Sequence, residues 1–343
     1  GLLKAVKSDE DLWGATPNES RTEKSEEKVM NTNKRIFISH RTCDKKIADI
    51  LCDYFVALGV NSESVFCSSL PGNDVKEKIS VEVKAALKES LGLNLVDVPI
   101  NELIELVRSD EDLSAYSHPE METIVQNIPA AIRKYTNGAL RIYQALKKII
   151  EKYHLSGMTL RCFDLLTAVE NTGCLALALL NAEGIPAGCE GDVPTLVTMT
   201  AGYALTGHCG FQCNPSRIDP QTGELLMAHC TIPMDMIRSY SFNTHFESGI
   251  GIAVHGEMPE GEATIFKLSG DLSRSFVCRA KLTGNPYEKS LCRTQITLKL
   301  EDTNASGQSI CQDYFLTSPI GNHHVVFTGN QCELFKAFCA PLP

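Results

Sequence analysis

From residue 34 onward the apolar positions change period repeatedly, and the changes predict the elements. K-R-I-F-I-S-H (34–40) is short and compact, as a strand is. Ile47, Ile50, Leu51, Tyr54, Phe55 and Leu58 then recur at helical spacing, and Gly59 closes the run. S-V-F-C-S-S predicts a second strand, L-P-G-N-D a turn, and residues 75–90 a second amphipathic helix. This β-α-β-α order implies a parallel sheet. A strand then runs through Pro99 into a helix, and a helical stretch follows over Met121–Ile132. In 138–153, Leu140, Tyr143, Leu146, Ile149 and Ile150 share one face with lysines opposite. M-T-L-R-C-F-D reads as a strand ending at Asp164. N-T-G-C-L-A-L-A-L-L-N-A-E-G and T-L-V-T-M-T-A-G-Y-A-L read as two buried helices, the first closed by Gly184.

Past residue 210 the pattern shortens to alternating segments: 211–219, 224–232, 249–257, 263–270 and 293–300. Broken by Gly, Pro and Asn, they predict a β-rich sheet or barrel. Residues 1–33 are polar and mixed in charge, which predicts a short helix and a linker. V-K-S-D-E-D-L at Val6–Leu12 returns as V-R-S-D-E-D-L at Val107–Leu113. The pair reads either as two similar helix N-caps or as a duplication. The expected organisation is a polar leader (1–33), a partial α/β segment (34–90), an α/β region (91–200) and a β-rich domain (201–343).

Composition narrows the function. The chain has 343 residues, 43% of them hydrophobic and 22% charged, enough for two domains with sizeable cores. A net charge of -10 without a basic run argues against nucleic-acid or anionic-membrane binding. No apolar run is long enough to span a bilayer, and charge interrupts the N-terminus before a signal-peptide core forms. Fourteen cysteines lack framework spacing and contain no C-x-x-C; most lie in apolar runs. They read as buried reduced thiols in a cytoplasmic protein rather than a zinc cluster.

The chemistry-bearing stretch is G-I-P-A-G-C-E-G-D-V-P-T-L-V-T-M, from Gly184 to Met199. It places Glu190 and Asp192 on a small-residue turn between two apolar runs. Two acids held this way suit a divalent-metal site or an acid/base pair; the plainer reading is a helix cap. Polar residues recur at strand ends after residue 160: Asp164, His208, Asn214, Arg217, His229, His245, Glu247, His255 and the pair His323–His324. Strand-end loops are where a rigid scaffold presents site residues. Carboxylate plus imidazole with open positions suits Mn²⁺, Mg²⁺ or Fe²⁺ better than structural zinc. The chain has no H-E-x-x-H, P-loop or G-x-S-x-G, and G-I-G-I-A-V-H-G lacks the third glycine of a dinucleotide fingerprint.

Two stretches resemble known families. I-F-I-S-H, D-K-K-I-A-D-I-L and V-F-C-S-S-L-P-G-N-D, over about 34–90, resemble the first half of a bacterial TIR domain. That resemblance implies a partial flavodoxin-like sheet. The glutamate that TIR enzymes use for NAD cleavage lies beyond this half, so His40 and Asp44 read as ordinary strand-end and helix-start residues. From about residue 91 onward, C-F-D-L-L, T-G-C-L-A-L-A-L-L-N-A-E-G-I-P-A-G-C-E-G-D-V, N-P-S-R-I-D, A-H-C-T-I-P, T-H-F-E-S-G-I-G and P-I-G-N-H-H-V-V-F-T-G resemble the C-terminal half of L-fucose isomerase-like proteins. This implies an α/β region followed by a β-rich domain of the fucose/arabinose isomerase type. It also implies a Mn²⁺-dependent aldose–ketose isomerase acting on a small sugar through a cis-enediol, and a homo-oligomer.

The family holds its metal with a Glu, an Asp and a His. Carried over, Asp192 matches the Asp, and His323 or His324 the His. Asp164 stands where the Glu is expected, with Glu170 further on. Asp164 and Asp192 would move the proton between C1 and C2. Glu190, Arg217, His229, His245 and His324 would hold sugar hydroxyls. The alternatives are a non-catalytic sugar-binding or sensing protein, a TIR-mediated interaction protein, and a TIR NAD hydrolase.

Overall fold

The head of the chain is a strand, not the short helix its composition predicts. Leu2–Lys7 (β1) lies inside a four-stranded sheet, antiparallel to Asn94–Pro99 (β4) on one side and to Gly157–Leu160 (β5) on the other. The order is β4-β1-β5-β6, where β6 (Ala187–Cys189) runs parallel to β5. Register explains the correction: Leu2 through Lys7 pair residue by residue with Pro99 back to Asn94. That long-range ladder outweighs local composition.

The computed structural model describes residues 2–7, 36–38, 65–67, 78–219, 221–302 and 310–342. The chain divides into two units, Asp9–Ala85 and Gly1–Ser8 with Ala86–Pro343. In the smaller unit, Ile36–Ile38 (β2) and Val65–Cys67 (β3) pair in parallel. The helix expected over 47–58 lies outside the described residues. A helix covers Lys78–Leu91 (α1).

In the larger unit the strand–helix junction falls at Pro99, where Ile100–Arg108 (α2) begins. The helical run expected over 121–132 stops early. Met121–Asn127 (α3) ends because Ile128, preceding Pro129, is extended (φ -76, ψ 122). Thr136–Tyr153 (α4) buries Leu140, Tyr143, Leu146, Ile149 and Ile150, and ends at His154 in the left-handed region (φ 52). β5 stops at Leu160, short of the expected Asp164, because Phe163–Ala168 (α5) turns away from the sheet. Cys174–Ala182 (α6) is almost wholly buried. Its Asn181 side chain bonds both Ala187 N–H and Ala187 C=O, which fixes the start of β6. Val193–Thr206 (α7) starts at Asp192 and closes at Gly207 (φ 75).

The second V-[KR]-S-D-E-D-L copy is not a helix N-cap, and Ser8 of the first lies outside the described residues. Val6 and Lys7 belong to β1, whereas Ser109 caps the C-terminus of α2. In the second copy the Arg141 guanidinium donates to the carbonyls of Leu106, Val107 and Glu111. It thereby satisfies carbonyls in the last turn of the helix and just beyond it.

Six antiparallel strands close a barrel in the order β11-β12-β13-β8-β7-β14. They are Gly261–Leu268 (β11), Ser275–Gly284 (β12), Thr294–Leu300 (β13), Glu224–His229 (β8), Phe211–Ile218 (β7) and His324–Thr328 (β14). Closure removes every edge from these strands. Ser239–Asn243 (β9) and Ala253–Glu257 (β10) form a separate antiparallel pair. The apolar core runs continuously from the α4–α6 packing into the barrel. Ile310–Thr317 (α8) and Cys332–Cys339 (α9) complete the larger unit. Among the described residues, no helix is long and apolar enough to cross a membrane.

One cysteine expectation fails. Cys278 on β12 and Cys311 on α8 form a disulfide across a sequence separation of 33. Nothing in the local spacing reveals it, because a barrel strand and a later helix create the proximity. Nine further cysteines with described side chains are free thiols, and of these only Cys292 and Cys339 are not fully buried.

Candidate functional site

The acidic turn, the end of β8 and the start of β14 meet at one place. Glu190 follows β6 in the left-handed region (φ 63), and Gly191 follows it in the same region (φ 70). A side chain at 191 is excluded twice: by its φ, and because a Cβ would come 2.9 Å from Arg161 Cγ. Gly191 N–H donates to Leu160 C=O at 3.1 Å, which ties the turn to the end of β5. The sharp reversal turns the Glu190 carboxylate toward His229 and His323. It leaves Asp192 as the N-cap of α7, accepting from Thr195 N–H at 2.8 Å.

Glu190, His229 and His323 converge, with one ligand atom from each within 4.8 Å of the others. His229 Nε2 lies 3.6 Å from Glu190 Oε1, and His323 Nε2 lies 3.5 Å from Glu190 Oε2. The two rings meet edge to face, with centroids 5.3 Å apart. Each imidazole is oriented by its other nitrogen. His229 Nδ1 is 2.9 Å from Thr231 Oγ1, and His323 Nδ1 is 2.9 Å from Asp192 Oδ2. Both histidines are buried, while the Glu190 side chain is 31% exposed, so the group opens on the glutamate's side.

Burial alone would push the Glu190 carboxyl up. The His323 charge and the neighbouring His229 imidazole reverse this and hold it well below the usual carboxylate range. Burial also opposes ionisation of Asp192; the Lys267 ammonium and His323 overcome it and hold that carboxyl low as well. Burial pushes the His323 imidazole down, but Glu190 and Asp192 carry it up to about 9. The two carboxylates are balanced by the Lys267 ammonium and the His323 imidazolium, and His323 becomes a nitrogen donor by releasing its proton when a cation binds. The resulting set of oxygen and nitrogen donors fits a divalent first-row cation with coordination positions left open. His323 Nε2 is buried without a hydrogen-bond partner, an orphan that a cation would satisfy. The residues present therefore fit such an ion.

The other expected residues lie apart from this convergence. Asp164 sits in the first turn of α5 and pairs with Arg161, Nε to Oδ2 at 3.3 Å. Its nearness to the site runs through that arginine, whose stem packs on Gly191. Arg217 is not at the site: it is exposed on β7 and pairs with Glu288 at 2.7 Å. His324, next to His323, belongs to the opposite face of β14. It is fully buried, its Nε2 meets the Tyr314 hydroxyl at 2.7 Å, and burial pushes its imidazole down to about 3. Strand alternation separates the pair. His245 holds Ser248 Oγ at 3.1 Å and packs against Phe163. Glu170 (φ 49) lines a separate groove with Lys134, Tyr135 and Asn171.

Lys267 escaped the sequence reading. It lies on β11, 1% exposed, with Nζ 2.5 Å from Thr195 Oγ1 and 3.7 Å from Asp192 Oδ2. The available signal was a lysine inside the apolar segment A-T-I-F-K-L, since a buried lysine requires a partner. Sulfur also flanks the site. Cys189 precedes Glu190, and its Sγ lies 3.1 Å from that of Cys162; Cys230 follows His229 and packs with Cys174.

No family model matches the chain. Over 196 residues it is 25% identical to sulfoquinovose isomerase of Clostridium sp. (strain MSTE9), a sugar isomerase; the match takes in 53% of this chain. It spans 42% of that protein's length, less than half.

Proposed function

We propose that the chain is a metal-dependent aldose–ketose isomerase of the L-fucose isomerase-like type. The observation that carries this reading is the convergence of Glu190, His229 and His323, with His323 Nε2 left unpartnered. The similarity to a sugar isomerase supplies the substrate class: a small reducing sugar. Glu190 Oε, His229 Nε2 and His323 Nε2 would hold a Mn²⁺ or similar cation. When bound, the cation supplies a Lewis acid that polarises the sugar carbonyl and acidifies the neighbouring hydroxyl.

The protein's own residues do the rest. Thr231 and Asp192 fix the two rings so that both Nε2 atoms face the glutamate. The half-open Glu190 side marks where sugar enters. Asp164 lies outside the cluster and is linked to the turn through Arg161, whose stem packs on Gly191. The Asp164 carboxylate would take the C2 proton and return it to C1, while the O2 hydroxyl proton passes to O1, so the sugar goes through a cis-enediol. The proposed ligand set thus exchanges roles within the turn relative to the sequence reading. Glu190 becomes a ligand, Asp192 supports His323, and Asp164 keeps a proton-transfer role.

A second reading is a sugar-binding protein without turnover. It is favoured by the Asp164 carboxylate, which pairs with Arg161 outside the convergence. One experiment separates the two: ketose formation across an aldose panel, with Mn²⁺ or with chelator. The panel includes sulfoquinovose. The isomerase reading predicts Mn²⁺-dependent turnover that falls at least 100-fold in Glu190→Gln and Asp164→Asn. Sugar binding without turnover would establish the second reading, and turnover unaffected by chelator would remove the metal.

A further inference from the structure

We propose that Lys267 is a positioning residue. Through Thr195 and Asp192 it sets the orientation of the His323 ring. The ammonium donates to Thr195 Oγ1 at 2.5 Å. A hydroxyl has a single hydrogen, and accepting from lysine directs that hydrogen elsewhere. It goes to Asp192 Oδ2, 2.7 Å away. The same Oδ2 accepts His323 Nδ1–H at 2.9 Å. The other carboxylate oxygen, Oδ1, accepts Thr195 N–H at 2.8 Å, so Asp192 cannot rotate without breaking a bond at each end. The chain of donors runs from β11, through the first turn of α7, to the residue just before β14.

Capping does not account for the lysine. Asp192 needs only Thr195 N–H to cap α7, and an apolar residue at 267 would suit a strand whose last six positions are all buried. The lysine also lies beneath the turn that delivers His323. A Cβ on Gly321 (φ 68) would come 3.8 Å from Lys267 Cε. One side chain therefore supports both the carboxylate that grips His323 and the turn that presents it. A carboxylate that holds a ligand's second nitrogen governs ligand geometry, and loss of such support typically costs ten- to a hundredfold in metal affinity.

The consequence for affinity rests on the proposed metal reading; the ring orientation does not. The test therefore uses two readouts on the full chain. The first is ¹H NMR of the metal-free protein. The His323 Nδ1–H gives a slowly exchanging downfield signal, assigned by its loss in His323→Gln. It persists in Thr195→Ser, and it is lost or exchanges at least tenfold faster in Lys267→Met and Thr195→Val. Lys267→Gln is the second variant should methionine prevent folding, with circular dichroism and thermal melting as the folding check.

The second readout is Mn²⁺ affinity, from the electron paramagnetic resonance of free Mn²⁺. Lys267→Met weakens it about tenfold in the wild-type background, with no further loss in Asp192→Asn. A signal unchanged in folded Lys267 variants, or absent from the wild type, overturns the proposal. So does an equal loss of affinity in both backgrounds. A wild-type protein that shows the signal but binds no Mn²⁺ removes the metal reading and leaves the positioning role standing.

Discussion

Glu190 and Asp192 are two residues apart, yet backbone conformation gives them different work. The left-handed turn through Glu190 and Gly191 sends one carboxylate to a pair of imidazoles and the other back onto a helix N-terminus. The spacing E-x-D shows that two acids share a turn; it does not show which faces the histidines. His323 and His324 pose the same difficulty. Strand alternation says one faces the site, but only the register of β14 against β7, with His324 opposite Cys213, decides which. His324 instead anchors Tyr314, whose hydroxyl also accepts Ile320 N–H at 2.7 Å. Burial pushes the Tyr314 hydroxyl up to about 12 from an ordinary 10.0. The folded state thus keeps a proton that the unfolded chain releases near pH 10, so this contribution is intact below pH 10 and lost as pH rises from 10 toward 12. Thermal melting of wild type and Tyr314→Phe across pH 8–11.5 should show the wild-type advantage shrinking above pH 10. A constant difference would mean that Tyr314 titrates normally.

At the scale of elements, the long apolar periodicities were legible and the short or long-range pieces were not. The face Leu140, Tyr143, Leu146, Ile149 and Ile150 foretold α4, because five residues at helical spacing bury together. The alternating segments past residue 210 foretold strands, and five of them belong to the barrel or to the β9–β10 pair. β1 was missed because its only strand signal is its partners. The Cys278–Cys311 link was missed for the same reason. Closing a loop with a sequence separation of 33 contributes about 2–4 kcal/mol. Reduction should therefore lower the melting temperature by roughly 5–10 °C. The double variant Cys278→Ser/Cys311→Ser should already melt lower and show no response to reductant. A wild-type melt indifferent to reductant would contradict the disulfide's contribution.

The molecule as a whole joins a four-stranded mixed sheet to a closed six-stranded barrel, and the candidate site draws on both. The turn after β6 comes from the sheet; His229 and His323 come from the barrel. This is why the site was only partly legible. Every residue of the cluster stood out in the sequence as a polar group at a strand end, but the grouping depends on barrel closure, which brings β8 and β14 to either side of β7. Asp164 and Arg217 stood out by the same rule, and closure carried neither into the convergence. The central claim is that Glu190, His229 and His323 hold a divalent cation. Crystals grown with MnCl₂ and measured at the manganese absorption edge test it most directly. The account predicts one strong anomalous peak about 2.2 Å from a Glu190 carboxylate oxygen, His229 Nε2 and His323 Nε2. A peak bound instead by Asp164 and Asp192, or no peak at this turn, would contradict it.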